Sequence, residues 1–168
     1  MADPGVTSST AKKILIERFD RVMMRGWLQS LPTSNGDPLE VITPDGSALS
    51  VPLAQIKAVS FVRDLEGASI LKERQEFRSR PKSHGLWVEV RFTDGGRLEG
   101  MLPNDLNEIG GPGYALTPPE IAGNTQRVWI PRSAVAQLVV LGVVGTSKRT
   151  PARRGPENRQ ISLFGETH

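Results

Sequence analysis

The sequence predicts an all-β chain in which one five-stranded unit is used twice. Three observations carry this: a repeated strand, proline, turn and strand signature; apolar residues alternating with polar ones at period two; and a high content of turn formers. The repeat shows in two pairs of segments. Residues 50–62, SVPLAQIKAVSFV, match residues 129–141, WIPRSAVAQLVVL, with Val51-Pro52 over Ile130-Pro131, Ile56 over Val135 and Val59 over Leu138. Upstream, ILIERFDRVMMRGWL (14–28) parallels VEVRFTDGGRLEGML (88–102). Arg18-Phe19 stands over Arg91-Phe92 and Gly26-Trp27-Leu28 over Gly100-Met101-Leu102, which assigns one extra turn residue to the second copy. The 17 Gly and 13 Pro in 168 residues favour short strands and turns over helices.

The elements follow in order. In the second unit, strands are expected at residues 87–93, 96–104, 113–117, 126–131 and 135–141. Val88, Val90 and Phe92 alternate with Glu89 and Arg91, giving one buried and one wet face. Asp94-Gly95 marks a hairpin, because glycine tolerates positive φ. GGPG at 110–113 reads as a turn. Gly26 and Gly100, each inside a strand, mark sharp bends. Trp27, Trp87 and Trp129 fall on strands and are expected in the core, where small domains use aromatic bulk. The first unit has the same plan. The chain therefore divides into a disordered N-terminus (1–11), a first unit (12–66), an irregular basic linker (67–85), a second unit (86–145) and a disordered basic tail (146–168).

Five short bent strands with a proline-marked turn before the last describe a small SH3-like barrel, so the fold expected is two such barrels in tandem. The order of strand, Asp-Gly hairpin, bent strand with glycine, then IPxxxV into a closing strand resembles the Sm-like variant. That resemblance implies RNA binding. The segments KAVSFVRDLEG (57–67), GLWVEVRFTDGGRLEG (85–100) and VLGVVG (140–145) also resemble an uncharacterised bacterial family of tandem small-barrel proteins. This likeness covers most of residues 12–145 and implies the fold without an activity.

Catalytic chemistry finds little to work with. The chain has no cysteine, so no disulfide, thiolate nucleophile or thiolate metal site exists. Its two histidines, His84 and His168, lie in the linker and at the last position. Neither assembles a Ser-His-acid set or a metal-ligand spacing. The carboxylates are scattered and read as solvated surface groups. The expectation is a non-enzyme without cofactor or metal. The N-terminal residues MADPGVTSSTAKK have no apolar core, and the most apolar run, residues 134–144, is too short to span a bilayer, so the expected compartment is the cytoplasm.

The formal charge of +3 is unevenly placed. The linker carries Lys72, Arg74, Arg78, Arg80 and Lys82 against two glutamates. The tail carries Lys148, Arg149, Arg153, Arg154 and Arg159 against two more. Contacts to DNA or RNA are expected from these two stretches. Arg74 and Arg78 also fit the RxxxR element of PilZ-type cyclic-di-GMP receptors. The nearest counterpart of that family's second motif is DGSALS (45–50), which ends in serine and precedes the arginines.

The tail holds the sharpest signal. Residues 160–164, QISLF, resemble at every position the pentapeptide by which bacterial replication and repair proteins bind the β sliding clamp. The strict pattern arises by chance in fewer than about one chain of this length in a thousand. The resemblance implies an extended peptide in a groove of the clamp. Gln160 would set the register, Ile161 and Ser162 would bridge, and Leu163 and Phe164 would anchor in an apolar pocket. The alternative is that QISLF adds as an edge strand to a barrel of its own chain, with Ile161 and Leu163 on one face.

Overall fold

The computed structural model describes residues 11–145. Ten antiparallel strands dominate it, with one four-residue helix. The first unit supplies β1 (Lys12–Arg18), β2 (Met23–Leu28), β3 (Leu39–Ile42), β4 (Ala48–Val51) and β5 (Ile56–Val62). The second supplies β6 (Gly85–Phe92), β7 (Arg97–Leu102), β8 (Gly113–Leu116), β9 (Thr125–Pro131) and β10 (Val135–Val144). The helix α1 (Leu106–Ile109) precedes β8, capped by the Asp105 carboxylate, which accepts from the Asn107 N–H. Among the described residues no helix is long and apolar enough to cross a membrane.

The strands form two sheets rather than two closed barrels. One sheet has seven strands in the order β4-β3-β2-β1-β5-β9-β8, and the other has three in the order β10-β6-β7. Closure of the first unit would need the outer edge of β5 to return to β4. That edge pairs instead with β9 of the second unit, through Val59↔Trp129, Ser60↔Val128 and Phe61↔Arg127.

The two units nevertheless share one strand order. In the first, β2 meets β3 at Trp27↔Ile42. In the second, a single bridge, Met101↔Thr117, joins the end of β7 to the residue after β8. Gly26 and Gly100 lie beside these crossings. A Cβ on Gly26 would sit 2.3 Å from the Ile42 carbonyl oxygen, and one on Gly100 would sit 3.0 Å from the Leu116 Cβ. At Gly26 the neighbouring backbone therefore leaves no room for a side chain, and at Gly100 the neighbouring strand leaves only a tight fit for one.

The repeat register differs from the sequence match. Ile14 pairs with Gly26 and Val88 with Gly100; Arg18 pairs with Ile56 and Phe92 with Val135. Arg18 is thus the counterpart of Phe92, not of Arg91, and the two hairpins have equal length. The matching Arg-Phe pairs misled because identity at two positions outweighed the hairpin count. Both turns are built alike: the Asp20 carboxylate accepts from Val22 N–H at 3.0 Å and the Asp94 carboxylate from Gly96 N–H at 3.0 Å. Both closing strands skip one residue at the same place, Lys57 and Ala136.

Each unit has its own core, and each core borrows from the other. Val88, Val90, Phe92, Leu98, Leu116 and Ile130 pack with Ala58 of β5 and with Ile70 of the linker. Ile14, Ile16, Val41, Ile56 and Val59 pack with Trp129 of β9. Trp129 is buried as expected, whereas Trp27 and Trp87 are half-buried.

Candidate functional site

The segment between β5 and β6 is irregular, with one 3-10 turn at Ile70–Lys72, and it is docked on the sheets. Ile70 is fully buried and its N–H donates to the Ser60 hydroxyl at 3.0 Å. The Glu73 carboxylate accepts from the Thr125 N–H at 3.0 Å. The Gln75 carbonyl accepts from Glu99 N–H at 2.8 Å. Farther on, the Glu99 carboxylate accepts from Phe77 N–H at 3.2 Å and from the Trp87 indole N–H at 3.0 Å. The Phe77 and Trp87 rings meet edge to face with centroids 6.2 Å apart.

This anchoring gathers four of the five linker cations. Arg74, Arg78, Arg80 and Lys82 line one groove of about 320 Å³ together with the apolar side chains of Phe77, Met101, Pro118, Pro119 and Ile121. Arg78, Arg80 and Lys82 are exposed. Arg80 donates to the Val143 carbonyl at 3.0 Å, and Arg74 lies 3.8 Å from Glu120. Cations beside apolar side chains in one groove offer point charges for phosphate and apolar surface for a base or an apolar side chain. No residue of the DGSALS segment (45–50) lines this groove, so the structure does not join it to Arg74 and Arg78. His84 bonds through its ring nitrogen with the Gly145 carbonyl at 2.8 Å, a linker-to-strand tie.

Lys72 goes elsewhere. With Arg18, Arg21, Lys57 and Asp94 it surrounds Glu17, a carboxylate that sequence reasoning placed on the surface with the others. Glu17 is 7% exposed. One of its oxygens accepts from the Ser69 hydroxyl, and the other has no hydrogen-bond partner among the described residues. Burial pushes its pKa up to about 7, against the opposing pull of Lys57 and Lys72. Lys57 also pairs with Asp94 at 2.7 Å, which holds that carboxyl below its ordinary value, and stands 4.9 Å over the Phe92 ring. The signal for Glu17 was its place in an unbroken apolar run, Ile14-Leu15-Ile16-Glu17. A strand buried on both faces buries its polar member too.

The pentapeptide Gln160, Ile161, Ser162, Leu163 and Phe164, and the tail cations Lys148, Arg149, Arg153 and Arg154, lie outside the described residues, as do residues 1–10. No curated protein and no solved structure matches this chain. A family model described as a family of unknown function matches residues 10–142, from just before β1 into β10. With most of its length inside that match, the chain belongs to the DUF6982 family.

Proposed function

We propose that this protein is a non-enzymatic adapter that docks on the bacterial β sliding clamp through residues 160–164, in DNA replication or repair. The observation that carries the reading is the match of Gln160, Ile161, Ser162, Leu163 and Phe164 to the clamp-binding pentapeptide at every position. Its placement supports it, because β10 ends at Val144 and the pentapeptide begins sixteen residues later, beyond the strands of the body. Apolar anchors in such short peptides supply most of the binding energy, on the order of 2 kcal/mol or more each. Ordering the peptide offsets part of that, so micromolar affinity follows. The body would serve as the presenting scaffold. Its shared strand order and proline-marked turns support reading each unit as a small SH3-like barrel of Sm-like order, left open where β5 meets β9.

Competition tests this. The full chain should displace a fluorescent peptide of residues 157–166 from purified clamp, and the double variant Leu163→Ala, Phe164→Ala should not. Equal displacement by both proteins contradicts the proposal.

A second reading rests on the basic groove: a nucleic-acid module using Arg74, Arg78, Arg80 and Lys82. Its signature is opposite. Binding of single-stranded RNA or DNA should fall steeply as salt rises, survive loss of Leu163 and Phe164, and weaken at least several-fold in the double variant Arg78→Ala, Arg80→Ala.

A further inference from the structure

We propose that the cavity between the β1–β2 turn and the linker binds the phosphate group of a small phosphomonoester. The cavity holds about 350 Å³, at the low end of small-molecule sites, which run roughly 300–1,000 Å³. Four cations from three parts of the chain line it: Arg18 and Arg21 at the β1–β2 turn, Lys57 on β5 and Lys72 in the linker. Lys57 is the residue at which β5 skips a pairing, and a bulge of this kind re-aims a side chain. Arg18 pairs with Asp20 at 3.0 Å and Lys57 with Asp94 at 2.7 Å. Arg21 and Lys72 form no ion pair among the described residues, so the cluster carries surplus positive charge. Converging guanidinium and ammonium groups suit the dianion of a phosphomonoester. Phe19, Met23 and Leu71 line the same cavity and offer apolar surface to the organic part.

Three observations point to a ligand rather than to a solvated patch. First, two buried side-chain polar atoms lack a hydrogen-bond partner among the described residues, Glu17 Oε2 and Arg18 Nε, and both belong to residues that line this cavity. Burial favours the protonated form of Glu17, which sets an O–H rather than a charge beside an anion. Second, the first hairpin keeps an arginine, Arg21, at a φ of 66° where the second hairpin has Gly95. A side chain retained in the left-handed region marks a position where binding outweighs local strain. Third, the fold does not require the cluster. The second unit has Arg91, Phe92 and Ala136 where the first has Glu17, Arg18 and Lys57. The described chain also starts and stops away from the cavity. β1 begins at Lys12, at the other end of the strand from Arg18, and β10 ends at Val144 opposite Gly85, at the other end of β6 from Asp94.

Calorimetric titration of the full chain with phenyl phosphate tests this, with phenol and phenylacetate as the uncharged and carboxylate controls. Phenyl phosphate should bind with a submillimolar Kd, and both controls at least tenfold more weakly. Arg21→Gly should weaken binding at least tenfold while raising the urea midpoint, so that lost affinity is not lost folding. Lys72→Ala, at an exposed side chain, should weaken it several-fold with an unchanged melt. The double variant Arg78→Ala, Arg80→Ala, which alters the other basic groove, should bind as the parent does. No binding by the parent at millimolar phenyl phosphate overturns the proposal, as does equal binding of phenylacetate. Parent-like affinity in Arg21→Gly, or loss of affinity in Arg78→Ala, Arg80→Ala, places the anion elsewhere and overturns it too. Displacement of phenyl phosphate by an oligonucleotide without terminal phosphates also contradicts it, because the cavity would then read a nucleic-acid backbone.

Discussion

At the scale of single residues, Arg21 and Glu17 store free energy that substitutions can release. Arg21 has φ of 66°, the one non-glycine residue at positive φ among the described residues, while its counterpart in the second hairpin is Gly95, at 90°. The left-handed region costs a residue with a Cβ roughly 1 kcal/mol. Arg21→Gly should therefore raise the unfolding free energy by about 0.5–1 kcal/mol in urea titration, and Gly95→Arg should lower it comparably. Glu17 acts through pH. Its folded pKa of about 7 lies above the ordinary 4.5. The fold thus favours its protonated form, and this contribution is full below about 4.5 and lost as pH rises through about 7. Between pH 5 and pH 8 it is worth at most about 3 kcal/mol, less whatever relaxation around Lys57 and Lys72 returns. Urea midpoints at the two pH values should differ in the parent and converge in Glu17→Gln. Equal pH sensitivity in both would show that other groups dominate.

At the scale of elements, the strand predictions depended on how local their causes are. Expected strands at 87–93, 96–104 and 126–131 are seen at Gly85–Phe92, Arg97–Leu102 and Thr125–Pro131. Alternating Val88, Val90 and Phe92 and the Asp94-Gly95 turn fix these within one hairpin. Pro52 and Pro131, with φ of −60° and −57°, each lead into a 3-10 turn and a closing strand, as the repeat implied. What stayed hidden was non-local. The β5–β9 junction is an exchange of edges between strands far apart in sequence. The linker's attachment rests on single groups, Ile70 in the core and Glu73 and Glu99 as acceptors, and no period announces those. Helix α1 is one turn long, too short for helical periodicity to register. The glycine crossings give a sharp test. Gly26→Ala brings a Cβ within 2.3 Å of the Ile42 carbonyl, so the backbone must part, and a loss of at least about 2 kcal/mol is expected by denaturant titration.

At the scale of the molecule, two repeats make one folding unit. Ala58 and Ile70 complete the core of the second unit, and Trp129 completes that of the first. Unfolding should be a single transition, with tryptophan fluorescence and circular dichroism coincident, and residues 86–145 expressed alone should fail to give a cooperative melt. The candidate sites were legible to different degrees. The linker cations were visible as a charge run, yet only folding shows that Arg74, Arg78, Arg80 and Lys82 share a groove while Lys72 turns toward Glu17. The pentapeptide is legible from sequence because an extended peptide meets its partner residue by residue and needs no fold to set its spacing.

The central claim, that this peptide docks on the clamp, meets its most direct test in calorimetric titration of the full chain into purified bacterial β sliding clamp. The account predicts micromolar binding that Leu163→Ala, Phe164→Ala abolishes and that added salt weakens only modestly. Absence of binding by the intact chain, or equal binding by the double variant, would contradict it.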